Sequence, residues 1–108
     1  MTDSIVVLST CATAADAERM ARALLEAHLV ACVSVVPGMR SFYRWKGQVE
    51  SEEECLLLMK TTRSMFAALS ARMETLHPYE LPELLALPVV AGEANYLNWL
   101  VGNVGAGE

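Results

Sequence analysis

Apolar residues change period along this chain, and the changes divide it into elements. Ser4–Ser9 reads Ser-Ile-Val-Val-Leu-Ser, a β-branched apolar run that predicts a first strand buried on both faces. From Thr13 the period becomes helical. Thr13-Ala-Ala-Asp16 has the form of a capping box with Asp in place of Glu. Ala17, Met20, Ala21, Leu24 and Leu25 then fall on one helical face, with Glu18, Arg22 and Glu26 four apart on the solvated side. Leu29–Val36 returns to strand chemistry and is punctuated by Pro37-Gly38. Arg40–Val49 alternates, with Phe42 and Arg44 on one face and Tyr43 and Trp45 on the other. Lys46-Gly47 marks a hairpin tip, because glycine accepts the positive φ of a tight turn.

The return strand begins in the acidic run Glu50-Ser-Glu-Glu-Glu54, read as a solvated strand end, and finishes in Cys55–Met59. Thr62 or Ser64 is placed to cap a second helix bearing Phe66, Leu69, Met73 and Leu76, which Pro78 stops. Glu83–Val90 predicts a last strand, with Pro88 pushing it to an edge or a bulge. Ala94, Leu97, Leu100, Val101 and Val104 make a final helix that drifts into a flexible glycine-rich tail over 102–108. The order β-α-β-β-α-β followed by α predicts a single α+β domain, residues 1–108, with helices on one face of an antiparallel sheet.

Composition adds a question of cover. Of 108 residues 54% are hydrophobic and 19% charged, with a mean hydropathy of +0.32. A domain this small hides only about two-thirds of its unfolded surface, so a partner is expected on the uncovered sheet face. No apolar run approaches the roughly 18 residues of a membrane span. The acidic Met-Thr-Asp-Ser start lacks the form of a secretory signal, so a cytoplasmic protein with no membrane partner is expected. A net charge of −5, with no basic cluster, argues against nucleic acid. Cys11, Cys32 and Cys55 are odd in number and form no CxxC pair, so free thiols are expected rather than disulfides or a zinc finger.

The densest chemistry lies in His77-Pro78-Tyr79-Glu80. The proline holds His77 extended, and a fixed imidazole can ligate a metal, move protons or simply bond a backbone carbonyl while Tyr79 caps a groove. Glu80 and Glu83 flank Pro82 as a possible carboxylate pair. Cys11 ends the first strand and Cys32 lies in the second; thiolate with imidazole suits copper or zinc. Cys55 reads as packing material. There is no nucleophile elbow, phosphate loop, dinucleotide turn or HExxH motif, so an enzyme is the least expected outcome.

Five blocks together resemble the divalent-cation tolerance family, CutA: Leu29-Val-Ala-Cys-Val-Ser-Val-Val-Pro-Gly38, Ser41-Phe-Tyr-Arg-Trp-Lys-Gly47, Lys60-Thr-Thr62, His77-Pro-Tyr-Glu-Leu-Pro-Glu83 and Tyr96-Leu-Asn-Trp99. The resemblance implies a ferredoxin-like subunit in a homotrimer whose long hairpins pair across subunits, similar to the PII signal proteins. It also implies cytoplasmic location, a link to divalent-cation tolerance, and copper binding as in some members, with no obligatory cofactor. Cys32 and His77 match family positions, whereas Ser9 stands where some relatives carry a cysteine, with Cys11 displaced by two residues. Three readings follow. The first is a non-catalytic trimer binding copper or another divalent metal through Cys32, His77 and Cys11, with Tyr79, Glu80, Glu83 and Trp45 shaping an intersubunit cleft. The second is a PII-like small-molecule sensor, and the third a scaffold trimer held by Phe42, Tyr43, Trp45, Tyr96 and Trp99.

Overall fold

The computed structural model describes residues 1–105. Its elements are β1 (Ser4–Cys11), α1 (Ala14–Glu26), β2 (Cys32–Trp45), β3 (Gln48–Thr62), α2 (Phe66–Leu76), β4 (Leu85–Pro88) and α3 (Ala94–Gly102). The four strands form one antiparallel sheet in the order β2-β3-β1-β4. β3 is thus inserted between β1 and β2, the two strands that α1 connects, which is the split β-α-β arrangement of a ferredoxin-like fold.

Alternation in β1 and β3 decides which face the helices cover. Ile5, Val7, Ser9 and Cys11 pair with Thr61, Met59, Leu57 and Cys55, and all eight are buried. They pack against Ala17, Met20 and Leu24 of α1 and Leu69 and Met73 of α2. The opposite face carries Val6, Leu8, Leu56 and Leu58, only half-buried, beside exposed Val36, Leu85 and Leu87. Ser4–Ser9 therefore extends two residues further than its apolar run, because Thr10 and Cys11 keep register with Leu56 and Cys55.

β2 differs from the two strands expected. Cys32–Trp45 is one continuous strand, and Pro37-Gly38 forms a bulge within it, between the pairs Val36↔Leu56 and Met39↔Glu54. Gly38 accommodates the bulge at φ +75°, and Pro37, which has no donor, is tolerated where the ladder is interrupted. Beyond the bulge, 39–45 pairs with 48–54 while β1 ends at Cys11↔Cys55. The hairpin consequently projects as a two-stranded arm, and the molecule measures 44 × 27 × 22 Å. Its radius of gyration is 14.4 Å, against about 13 Å for a compact chain of this length. At the tip Lys46 (φ 51°) and Gly47 (φ 81°) form the two-residue turn.

Thr13 caps α1 as expected, accepting the Asp16 N–H at 3.1 Å. Neither Thr62 nor Ser64 caps α2. β3 runs on to Thr62, which pairs with Ser4, and a 3₁₀ turn at Arg63–Met65 leads into the helix instead. β4 is shorter than Glu83–Val90 because β1 offers it only Ile5–Leu8, and Pro88 lies on this edge strand. Within the expected tail, Gly102 ends α3 and the Gly105 N–H donates to the His28 carbonyl at 2.8 Å; 106–108 lie outside the described residues.

Candidate functional site

The sequence that stops α2 also builds one wall of a groove. His77 closes the helix in an extended conformation (φ −82°, ψ 133°), as a residue before proline must. Its side chain is 6% exposed. Nε2 lies 2.6 Å from the Thr10 carbonyl, and Nδ1 accepts the Tyr79 N–H at 3.1 Å. A carbonyl can only accept, so Nε2 carries the proton and both ring nitrogens are engaged. The imidazole thereby fixes the start of the 77–83 loop against the end of β1. Ser9 ties the loop's far end by donating to the Glu83 carbonyl at 2.7 Å.

Held in this way, Tyr79 reaches β3. Its hydroxyl donates to Glu54 Oε2 at 2.6 Å, and Glu54 is 6% exposed. A short bond to an ionised acceptor is among the stronger hydrogen bonds. Burial, the bond to Glu54 and the negative charge of Glu54 and Glu52 hold the Tyr79 phenol well above its ordinary range. The Cys11 thiol, close by, is pushed up to about 11, by burial first and then by Cys55, with Asp16 and Glu54 adding to the rise.

The acidic run is therefore not a uniformly solvated strand end. Pleating sends Glu50, Glu52 and Glu54 to one face of β3, and the two-residue turn sets them opposite Tyr43, Ser41 and Met39. These glutamates, with Glu80 and Glu83 from the loop, line a groove of about 780 Å³. Tyr43, Trp45 and Tyr79 form its aromatic walls, and Arg44 is its basic residue. Among the described residues both ion pairs lie on α1, Arg19–Asp16 at 3.4 Å and Arg22–Glu18 at 3.0 Å, so the groove's acids have no paired cation. The even spacing 50, 52, 54 was the signal in the sequence, and it has meaning only once the turn fixes the register.

The structure brings Tyr79, Glu80, Glu83 and Trp45 together on this groove. It does not bring Cys32, His77 and Cys11 together within one chain. Cys32 pairs with Lys60, whereas Cys11 pairs with Cys55, five residues away along β3 or about 17 Å. Cys11 faces the helices; Cys32 faces the open side, with the Lys60 ammonium 3.9 Å from its sulfur. Among the described residues no group of three or more His, Cys, Asp or Glu side chains is arranged to hold a metal ion. Phe42 (71% exposed), Tyr43, Tyr96 and Trp99 stand at the surface, and the rings of Tyr96 and Trp99 pack 5.5 Å apart.

Comparison with known proteins connects this architecture to a family. The sequence model of the CutA1 divalent ion tolerance protein matches residues 5–103. The chain belongs to the CutA1 family. The Divalent-cation tolerance protein CutA of Thermus thermophilus is 48% identical over 100 residues, which cover 93% of this chain and 97% of that protein. The Pectobacterium atrosepticum CutA is 45% identical over 98 residues, 91% of this chain and 89% of its own. Among solved structures, the Thermus thermophilus protein superimposes with a TM-score of 0.92 at 47% identity, covering 94% of this chain and 99% of its own. The CutA1 of Oryza sativa gives 0.92 at 38% identity, covering 95% and 94%. The α+β fold, with its four-stranded antiparallel sheet and three helices, is thus the fold of CutA1 structures. These likenesses lend no support to a PII-like sensor.

Proposed function

We propose that this chain is a non-catalytic, cytoplasmic homotrimer that binds divalent metal ions, copper(II) among them, and serves cation tolerance by doing so. The observation that carries the reading is the groove lined by Glu50, Glu52, Glu54, Glu80 and Glu83, none of which has a paired cation among the described residues. Carboxylate oxygens are the donors that divalent cations accept, and a cleft lined by one sign of charge concentrates counter-ions. Among the described residues of a single chain no three such ligands are gathered. The groove therefore fits an ion that keeps part of its water or takes a further ligand from a neighbouring subunit.

Trimer formation is supported by surface that one chain leaves uncovered. The open sheet face and the projecting arm present Val36, Phe42, Tyr43, Leu85 and Leu87 to solvent, and α3 presents Trp99. A two-stranded ribbon is marginal in water unless another surface covers it. The acidic surface is proposed to take neither nucleic acid nor membrane; among the described residues no helix is long and apolar enough to cross a bilayer.

Calorimetric titration with Cu²⁺ and with Mn²⁺ tests the metal reading. Saturable binding is expected for both, weakened at least about tenfold by Glu50→Gln with Glu52→Gln, since two of the carboxylates are lost. No saturable heat for either ion, or binding unchanged in that variant, contradicts it. Copper binding lost only in His77→Ala with Cys32→Ser moves the site to the imidazole and thiol across subunits.

A further inference from the structure

The hairpin arm sets two rows of side chains next to each other. Tyr43 pairs with Glu50 and Trp45 with Gln48, and direct partners project from the same face of a sheet. Glu50, Glu52 and Glu54 follow one another along that face at intervals of about 6.8 Å, two residues of strand rise each. A line of carboxylates therefore runs beside the Tyr43 and Trp45 rings, and Tyr79 closes its inner end through the bond to Glu54. Arg44 pairs with Val49, so its side chain leaves from the other face of the arm. Two further observations point to a cation. Glu54 is 6% exposed, yet its carboxylate has no paired cation among the described residues, and a buried charge is costly until a partner is supplied. At the outer end of the line the Lys46 ammonium lies 5.7 Å from the Trp45 ring centroid, so this ring already draws an ammonium to its face. Desolvation, and after it the charges of Glu52 and Glu50, raise the Tyr43 phenol, so this ring and the carboxylates act on one another.

We propose that this groove binds a linear polyamine, an organic cation with ammonium groups strung along a methylene chain. The proposal rests on the reading of the groove as a cation site and adds a second class of cation to it. A few methylenes between ammonium groups give such a molecule a pitch comparable to that of alternate strand residues, so successive carboxylates each meet a positive charge. The rings add what carboxylates cannot. An ammonium is attracted to the π face of Tyr43 or Trp45, and the methylenes bury apolar area against the same rings. A small hydrated metal ion gains little from either. A polyamine also needs no cluster of three ligands on one point, in keeping with the lack of one among the described residues. The groove's volume of about 780 Å³ falls within the roughly 300–1,000 Å³ of small-molecule sites.

The test is calorimetric titration of the full chain with the triamine spermidine in metal-stripped buffer. Saturable binding is expected, weakened at least about tenfold by Glu50→Gln with Glu52→Gln and by Tyr43→Leu with Trp45→Leu, which removes the ring faces. Tyr43→Phe with Trp45→Phe returns the rings without their polar groups and should restore most of the affinity lost in the leucine variant, a recovery that a misfolded arm would not show. No saturable heat overturns the proposal. So does equal binding by the phenylalanine and leucine variants, which marks general attraction to an acidic surface. The Mn²⁺ titration of the unaltered chain separates the two ligands: spermidine bound without Mn²⁺ upholds this proposal and contradicts the metal reading, whereas Mn²⁺ bound without spermidine overturns this proposal alone.

Discussion

Tyr79 donates its hydroxyl to Glu54 at 2.6 Å, joining the loop after α2 to the foot of the hairpin arm. The bond fixes one corner of the acidic groove and supplies the hydrogen bond that the buried Glu54 carboxylate receives from a side chain. Tyr79→Phe should therefore destabilise the fold by about 1–3 kcal/mol, the cost of depriving a buried charged acceptor of its donor. Urea denaturation checks this, and Glu54→Gln, which keeps an acceptor, should cost less than Tyr79→Phe.

Alkaline pH should weaken the fold through Cys11. Its thiol titrates near 9.0 in a free chain and is pushed up to about 11 here, so between these values the folded state retains a proton that the unfolded chain has released. Stability is then fully present below pH 9 and falls as pH rises through 11, by up to about 1.4 kcal/mol per unit. Cys11→Ala removes this group, and denaturation midpoints measured from pH 8 to 11 should decline less steeply in that variant.

The arm's tip should be sensitive to a single side chain. Gly47 sits at φ 81° beside Lys46 at φ 51°, and the left-handed conformation costs a non-glycine residue roughly 1–2 kcal/mol. Gly47→Ala is expected to lower stability by about that amount, although nothing lies within 4 Å of the added Cβ. Equilibrium denaturation reads the loss. If the arm also forms the subunit interface, dissociation should shift to higher protein concentration in the same variant.

Much of this arrangement was legible in local chemistry. Thr13 before an apolar helical face, Lys46-Gly47 between alternating strands and His77 before a proline each specify their own conformation, and each is found as expected. Where pairing decides, the local signal fails. Pro37-Gly38 reads as a break, yet β3 continues opposite it and turns the break into a bulge. Thr62 reads as a cap, yet Ser4 holds it in the sheet. The acidic run shows the same limit: its repulsion was visible, but the Glu54–Tyr79 bond joins residues 25 apart and depends on the fold. Cys11, Cys32 and His77 had suitable chemistry, and the β3 register sets the two thiols on opposite faces of the sheet.

Native mass spectrometry with added Mn²⁺ tests most directly the claim that this chain assembles and holds divalent ions in its groove. The account predicts a species of about 35 kDa, three times the 11.8 kDa of one chain, carrying bound manganese that Glu50→Gln with Glu52→Gln removes. A species of 11.8 kDa, or a trimer whose manganese survives that substitution, would contradict it.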